Sequence, residues 1–145
     1  PMKFKFKSSR MTPPPEGYKG KGRKGAKCAL TGEWTMTSQL EVDHKEGHKP
    51  LLCEQDILPY MIHLLASNEE ELQLASKEAH KIKSYAERMG ISYEEAEIRK
   101  KIIAFKKLSL SQMRDTIWTE WNVDSSGLTY KSQAIKMYEH LLRGG

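Results

Sequence analysis

Gln39-Leu40-Glu41-Val42-Asp43-His44, running into Lys45-Glu46-Gly47-His48, is the stretch on which the fold turns. Residues 39 to 43 alternate polar and apolar at the period of a strand, and that strand ends on an Asp-His pair. Gly47 and Pro50 place a turn just beyond it. Further on, Ala79-His80-Lys81-Ile82-Lys83 sets another histidine at the head of a basic helical turn. Together these residues hold the parts that one-metal cleavage of a phosphodiester requires. Such chemistry needs a base that deprotonates water near neutral pH, and a divalent cation that offsets charge on the phosphate and on the departing oxygen.

Histidine suits the first role, with an unperturbed pKa of about 6.5, and His44 is the candidate base. Asp43 and His80 suit the second, because a carboxylate and an imidazole together accept Mg²⁺ or Mn²⁺, and also Zn²⁺, Ni²⁺ or Co²⁺. Neighbours on a strand point to opposite faces, so Asp43 and His44 can share one metal only if the strand ends or bends between them. His48 reads as a turn residue, with a third ligand or a substrate contact as alternatives.

A length of 145 residues suits one domain, or one small domain with an appendage. Hydrophobic and charged contents of 38% and 30% fit a soluble chain with a modest core. No apolar run reaches the length of a membrane span, and the basic first residues lack the apolar segment of a signal peptide. The expected location is therefore the cytoplasm, that of the host cell if the protein is phage-encoded. Cys28 and Cys53 form no paired framework and are expected to be reduced.

Charge is very uneven. Residues 1–27 hold nine Lys/Arg against Glu16 alone, a net +8, while the remaining residues carry a net −3 of the total +5. With Pro13-Pro14-Pro15 and four glycines among its lysines, this segment reads as a basic flexible arm. Lys21, Arg23 and Lys24 would then contact phosphates. The bland alternative is a solubilising tail, and Lys3-Phe4-Lys5-Phe6-Lys7 alternates like a short edge strand.

After the arm, residues 28–52 look like β structure with turns at Thr31-Gly32 and Glu46-Gly47. Residues 54–65 place Ile57, Met61, Leu64 and Leu65 on one helical stripe, an insertion between the two halves of the site. A second helical stretch runs from about Leu72 to Met89 and stops at Gly90. Ser92-Tyr93-Glu94-Glu95 then fits a capping box that opens a connecting helix over 91–107, with Glu95/Arg99 and Glu97/Lys101 spaced for ion pairs.

The halves Leu40-Glu41-Val42-Asp43-His44 and Glu71-Leu72-Gln73-Leu74-Ala75-Ser76-Lys77-Glu78-Ala79-His80-Lys81-Ile82-Lys83-Ser84 resemble the HNH endonucleases, the ββα-metal class common in phages and restriction systems. The resemblance covers roughly residues 28–88, and the expected nuclease core is residues 28–90. It implies that Asp43 and His80 hold the metal, that His44 is the general base, and that Lys83 contacts phosphate. Lys81, beside His80, is expected to contact phosphate as well, with a solvated helix face as the alternative for both lysines. The family's middle residue, usually Asn, falls at Glu71, with Asn68 as the rival. Many relatives carry structural zinc on two Cys-x-x-Cys pairs, which here read Cys28-Ala29-Leu30-Thr31 and Ser76-Lys77-Glu78-Ala79. With one thiol of four, no structural zinc is expected. Hydrophobic packing, helped by the insertion helix and by self-association as a homodimer, would have to replace it.

Residues 108–145 have a resemblance of their own. Leu108-Ser109-Leu110-Ser111-Gln112-Met113-Arg114-Asp115-Thr116-Ile117, then Gly127, then Lys131 to Leu142 look like a SAP motif, a helical pair that binds DNA. Met113, Ile117, Trp121, Ile135 and Tyr138 are expected to form its core. Lys131 and Lys136 would face phosphate.

The expected architecture is thus α+β and mainly helical: a small ββα-metal nuclease core with an inserted helix, then a long helix and a SAP-like helix–turn–helix pair. The expected function is metal-dependent cleavage of DNA. A non-catalytic DNA-binding protein with a degenerate core is the alternative, and a structural or assembly factor is a third reading. The resemblance suggests phage biology, defence or DNA packaging.

Overall fold

The structure, a computed structural model, describes residues 2–47, 51–65 and 68–145. The class is α+β with helices predominating, and the chain forms two compact units, Pro1–Ser84 and Tyr85–Gly145.

In the first unit, β3 (Leu40–His44) and β4 (Leu72–Ser76) pair antiparallel, with Leu40 opposite Ser76, Asp43 opposite Gln73 and His44 opposite Leu72. Leu40, Leu72 and Leu74 bury themselves with Phe6 and Ala26, and Val42 and Met11 pack against that cluster. Residues 72–76 were expected to be helical. They are a strand because Leu72 and Leu74 flank Gln73 at a period of two and land on the same cluster as Leu40. The helix begins only at α3 (Lys77–Met89), where Ser76 Oγ accepts a hydrogen bond from the Ala79 N–H at 3.1 Å. It stops where expected. Gly90 takes φ +62°, Ile91 N–H reaches back to Ala86 O and Gly90 N–H to Glu87 O, the pairing of a Schellman turn.

The segment read as a flexible arm is structured at both ends. Met2–Ser9 forms α1, not an edge strand, and Phe6 is only 2% exposed. Lys7 Nζ donates to Leu40 O, and Arg10 lies over the Phe6 ring at 3.8 Å. Of the two phenylalanines in the alternation only Phe6 is buried, while Phe4 is 74% exposed. One anchored aromatic on a one-sided helix accounts for the difference from the expected strand. Thr12 then bridges Gly25, and β1 (Gly25–Lys27) pairs antiparallel with β2 (Trp34–Met36). A Cβ at Gly25 would run into Thr35 O and the Trp34 ring, so this strand can start only on glycine. The expected turn follows at Gly32, with φ +73°.

Cys28 Sγ accepts a hydrogen bond from the Ser76 N–H at 3.3 Å, and Ala29 N–H donates to Leu74 O at 2.7 Å. Residues 28–29 and 74–76 are thus joined by hydrogen bonds. The insertion forms as a 3₁₀ turn, Glu54–Asp56, and α2 (Ile57–Leu65). Ile57 and Met61 on its stripe are exposed; the side chains of Leu64 and Leu65 lie outside the described ones.

In the second unit, α4 (Tyr93–Phe105), α5 (Leu110–Trp121) and α6 (Lys131–Leu142) share one core of Ile102, Phe105, Met113, Ile117, Ala134 and Tyr138. Trp121 and Ile135 pack on it, so all five residues expected in a small core contribute. Phe105 stacks on Tyr138 at 3.8 Å between centroids, which makes α4 a member of this unit and not a separate connector ending at 107. Ser92 Oγ caps α4 through the Glu95 N–H. Glu95's own carboxylate goes elsewhere: hydrogen bonds from Arg143 and Arg99 bring its pKa down to about 2. The Glu97–Lys101 pair forms at 2.9 Å.

Burial of Phe6 generates a test. Phe6→Ala should destabilise the protein by about 3–5 kcal/mol, as removal of a buried aromatic ring does, whereas Phe4→Ala should change stability by less than about 0.5 kcal/mol. Urea denaturation of both variants checks this; equal small effects would mean that the segment is the unstructured arm first expected.

Candidate metal centre

Asp43 sits one residue from the end of β3, and its side chain is only 10% exposed. Burying a carboxylate costs several kcal/mol unless partners replace water. Both neighbouring elements supply them. From α3, Lys83 Nζ reaches Asp43 Oδ2 at 2.7 Å; from β4, Gln73 Nε2 donates to the same oxygen at 3.0 Å. Asp43 Oδ1 faces His80 Nε2 at 3.4 Å. On its other side, His80 Nδ1 meets Glu41 Oε2 at 2.7 Å. Glu41 and Asp43 are two apart on β3 and therefore share the face that looks onto α3.

Burial pushes the Asp43 carboxyl up. Hydrogen bonds from Lys83 and Gln73, with the charges of Lys83 and His80, outweigh that effect and hold it below its ordinary value.

His44 is 5% exposed and closes β3 opposite Leu72. The strand does not end between Asp43 and His44, as sharing one metal would require. Pairing runs through His44, and the chain bends at Lys45–Glu46. The His44 main-chain carbonyl accepts hydrogen bonds from Lys83 Nζ and, at 3.4 Å, from Gln73 Nε2.

Asp43, His80 and Lys83 thus come together as spaced in the sequence, but Lys83 takes a different part. It was expected on the surface as a phosphate contact, whereas its side chain is 11% exposed and committed to Asp43 and His44. Lys81 is on the surface, near Glu78 at 3.9 Å. Neither candidate for the middle residue has its side chain on the cluster in the described contacts. Glu71 is exposed and uses its carbonyl to extend the β pairing with Lys45 N–H. Asn68 Oδ1 caps a 3₁₀ turn, Glu69–Glu71, by accepting from Glu70 and Glu71 N–H. The amide that touches both Asp43 and the His44 backbone belongs to Gln73, which sequence reasoning passed over together with Glu41. Cross-strand register was the only signal: Gln73 lies directly opposite Asp43. His48 lies outside the described residues. Lys21, Arg23, Lys24, Lys131 and Lys136 all reach the surface.

The donors fit a divalent cation. Asp43 Oδ1 and His80 Nε2, 3.4 Å apart, can both reach one ion at ordinary bond lengths of about 2.0–2.2 Å. Among the described residues no group of three or more His, Cys, Asp or Glu side chains is arranged to hold a metal. Two protein ligands match a hard cation that keeps several water or phosphate oxygens.

Lys83→Met should cost about 3 kcal/mol of stability at neutral pH, because it leaves a buried carboxylate without its cation, while Lys81→Met should be within about 0.5 kcal/mol of wild type. The pH dependence has a fixed sign. Asp43 titrates below its ordinary 3.8 in the folded protein, so its stabilisation is full above that value and is lost as pH falls through the lower, folded-state one. Asp43→Asn should remove that acid limb from the stability curve. An unchanged limb in chemical denaturation across acidic pH would mean that Asp43 is not held as described.

No protein-family model, curated protein or solved structure matches this chain.

Proposed function

We propose that the first unit is a divalent-metal-dependent DNA endonuclease of the HNH type. The observation that carries this reading is the approach of Asp43 Oδ1 and His80 Nε2 to 3.4 Å where two antiparallel strands meet the first turns of a helix. Asp43 and His80 would hold the ion, Mg²⁺ or Mn²⁺ by the hardness of the carboxylate. When bound, it offsets charge on the phosphate and on the departing oxygen. His44 takes the proton of the attacking water. Gln73 and Lys83 fix the backbone that carries that histidine through its carbonyl. Exposed Lys81, beside His80, contacts the backbone of the cut strand.

DNA is held by cations elsewhere on the chain. Lys21, Arg23 and Lys24 lie at the surface between Thr12 and Gly25, and Lys131 and Lys136 project from α6 of the SAP-like pair. The reading is of a protein that works without membrane attachment, and no helix among the described residues is long and apolar enough to cross one.

A second reading, a DNA-binding protein with a degenerate core, has a specific observation in its favour. Lys83 already neutralises Asp43, and His44 is nearly enclosed on a strand that runs unbroken from Asp43 through His44, which sets neighbouring side chains on opposite faces.

Plasmid nicking with Mg²⁺ or Mn²⁺, with and without EDTA, separates the two. His44→Ala should lower nicking by about 10²–10⁴-fold and leave DNA affinity near wild type; absence of metal-dependent nicking by the wild type would favour the degenerate core.

The grip is tested by substitution, since deleting the first residues would remove Phe6 from the core. Lys21→Gln, Arg23→Gln and Lys24→Gln together should weaken DNA binding, and each phosphate no longer neutralised should flatten the log–log salt slope by about 0.9. Fluorescence anisotropy across a salt series measures it, and an unaltered slope would remove these residues from the interface.

A further inference from the structure

Glu41 has no part in the reading above, yet it makes one of the closest side-chain contacts of the site. Its Oε2 lies 2.7 Å from His80 Nδ1, while His80 Nε2 faces Asp43 Oδ1 at 3.4 Å. A carboxylate can only accept, so this hydrogen bond requires the proton on Nδ1 and, in the neutral ring, leaves the Nε2 lone pair toward Asp43. The two ring nitrogens point away from one another. Glu41 therefore stands behind the imidazole and does not share the ion that Nε2 would hold.

We propose that Glu41 is a positioning residue, a carboxylate that fixes the tautomer and ring orientation of His80 so that Nε2 is presented to a divalent cation bound with Asp43. The inference rests on the metal-site reading of Asp43 and His80. Three features of the chain support it. Glu41 and Asp43 are i and i+2 on β3, so one strand aims one carboxylate at each end of the imidazole. The strand is locked in place, since Glu41 pairs with Ala75, which is wholly buried. The two carboxylates also differ in setting: Asp43 is buried and clamped by Lys83 and Gln73, whereas the Glu41 side chain is 41% exposed. The clamped one suits a ligand of fixed geometry, and the other suits an outer partner that polarises the ring.

The test uses the full chain and two readouts that need no cleavage. In metal-free protein at a pH where histidine is neutral, nitrogen NMR of ¹⁵N-histidine-labelled samples should find His80 as the Nδ1–H tautomer. Glu41→Ala should shift it toward the Nε2–H form, and Glu41→Gln, which keeps an acceptor oxygen, should retain Nδ1–H. In parallel, calorimetric titration with Mn²⁺ should show affinity falling by about 10–100-fold in Glu41→Ala, as removal of an outer partner does, with Glu41→Gln restoring most of it. A general structural role would not give rescue by the glutamine variant. The proposal is overturned if wild-type His80 carries its proton on Nε2, or if Glu41→Ala binds Mn²⁺ as tightly as wild type. It is also overturned if Glu41→Ala abolishes binding while Asp43→Ala leaves it intact, which would put the ion on the Glu41 side of the ring. A wild type that binds no Mn²⁺ removes both this inference and the metal site. One that binds Mn²⁺ with the expected tautomer yet never nicks DNA supports the inference and removes only the nuclease reading.

Discussion

The first unit is organised around one buried carboxylate. Asp43 cannot be enclosed without cationic and hydrogen-bonding partners, and the two that bind Oδ2 come from different elements, Gln73 on β4 and Lys83 on α3. Satisfying that oxygen therefore fixes the register of β3 against β4 and the approach of α3 to both. Lys83 and Gln73 extend the same constraint to the His44 carbonyl. The apolar side supplies the bulk of the unit's burial, through Phe6, Leu40, Leu72 and Leu74. The polar side makes the arrangement unique, because a one-residue slip would put Leu72 or Leu74 against Asp43.

The same carboxylate is divided between two demands. Oδ2 is engaged by the ammonium of Lys83 and the amide of Gln73, and Oδ1 looks toward His80. An ion bound with His80 would meet one oxygen of Asp43 and would sit in the field of a resident cation. Both features weaken binding compared with a free bidentate carboxylate. A site of this kind gives part of its coordination to water and phosphate, and suits a cation whose tight binding is completed by an anionic substrate.

Legibility in the sequence followed the range of the forces involved. The strand expected over 39–43 and found at Leu40–His44, the stops at Gly32 and Gly90, the cap at Ser92 and the small core around Met113, Ile117 and Tyr138 rest on local periodicity and backbone chemistry, and these were readable to within a residue. The 72–76 strand was not, because five residues with two leucines run straight into a true helix at Lys77. Lys83 was misread for a similar reason: three residues after His80 on a polar helix, it has the look of a solvated face, and only its pairing with a carboxylate 40 positions away enclosed it. In α1 the Lys-Phe alternation mimicked a strand, because one phenylalanine anchors the helix and the other stays in solvent. Glu41 and Gln73 became visible only once register placed them beside His80 and Asp43.

The cleavage chemistry proposed for the first unit, and the positioning role of Glu41, require that Asp43 and His80 jointly hold a divalent cation. An anomalous difference map from a crystal of the full chain soaked in Mn²⁺ addresses this without recourse to activity. The expected result is a peak bonded to Asp43 Oδ1 and His80 Nε2, with Lys83 still on Oδ2. A peak at another site, or Mn²⁺ bound with Asp43 and His80 left as they are in the metal-free protein, would contradict it.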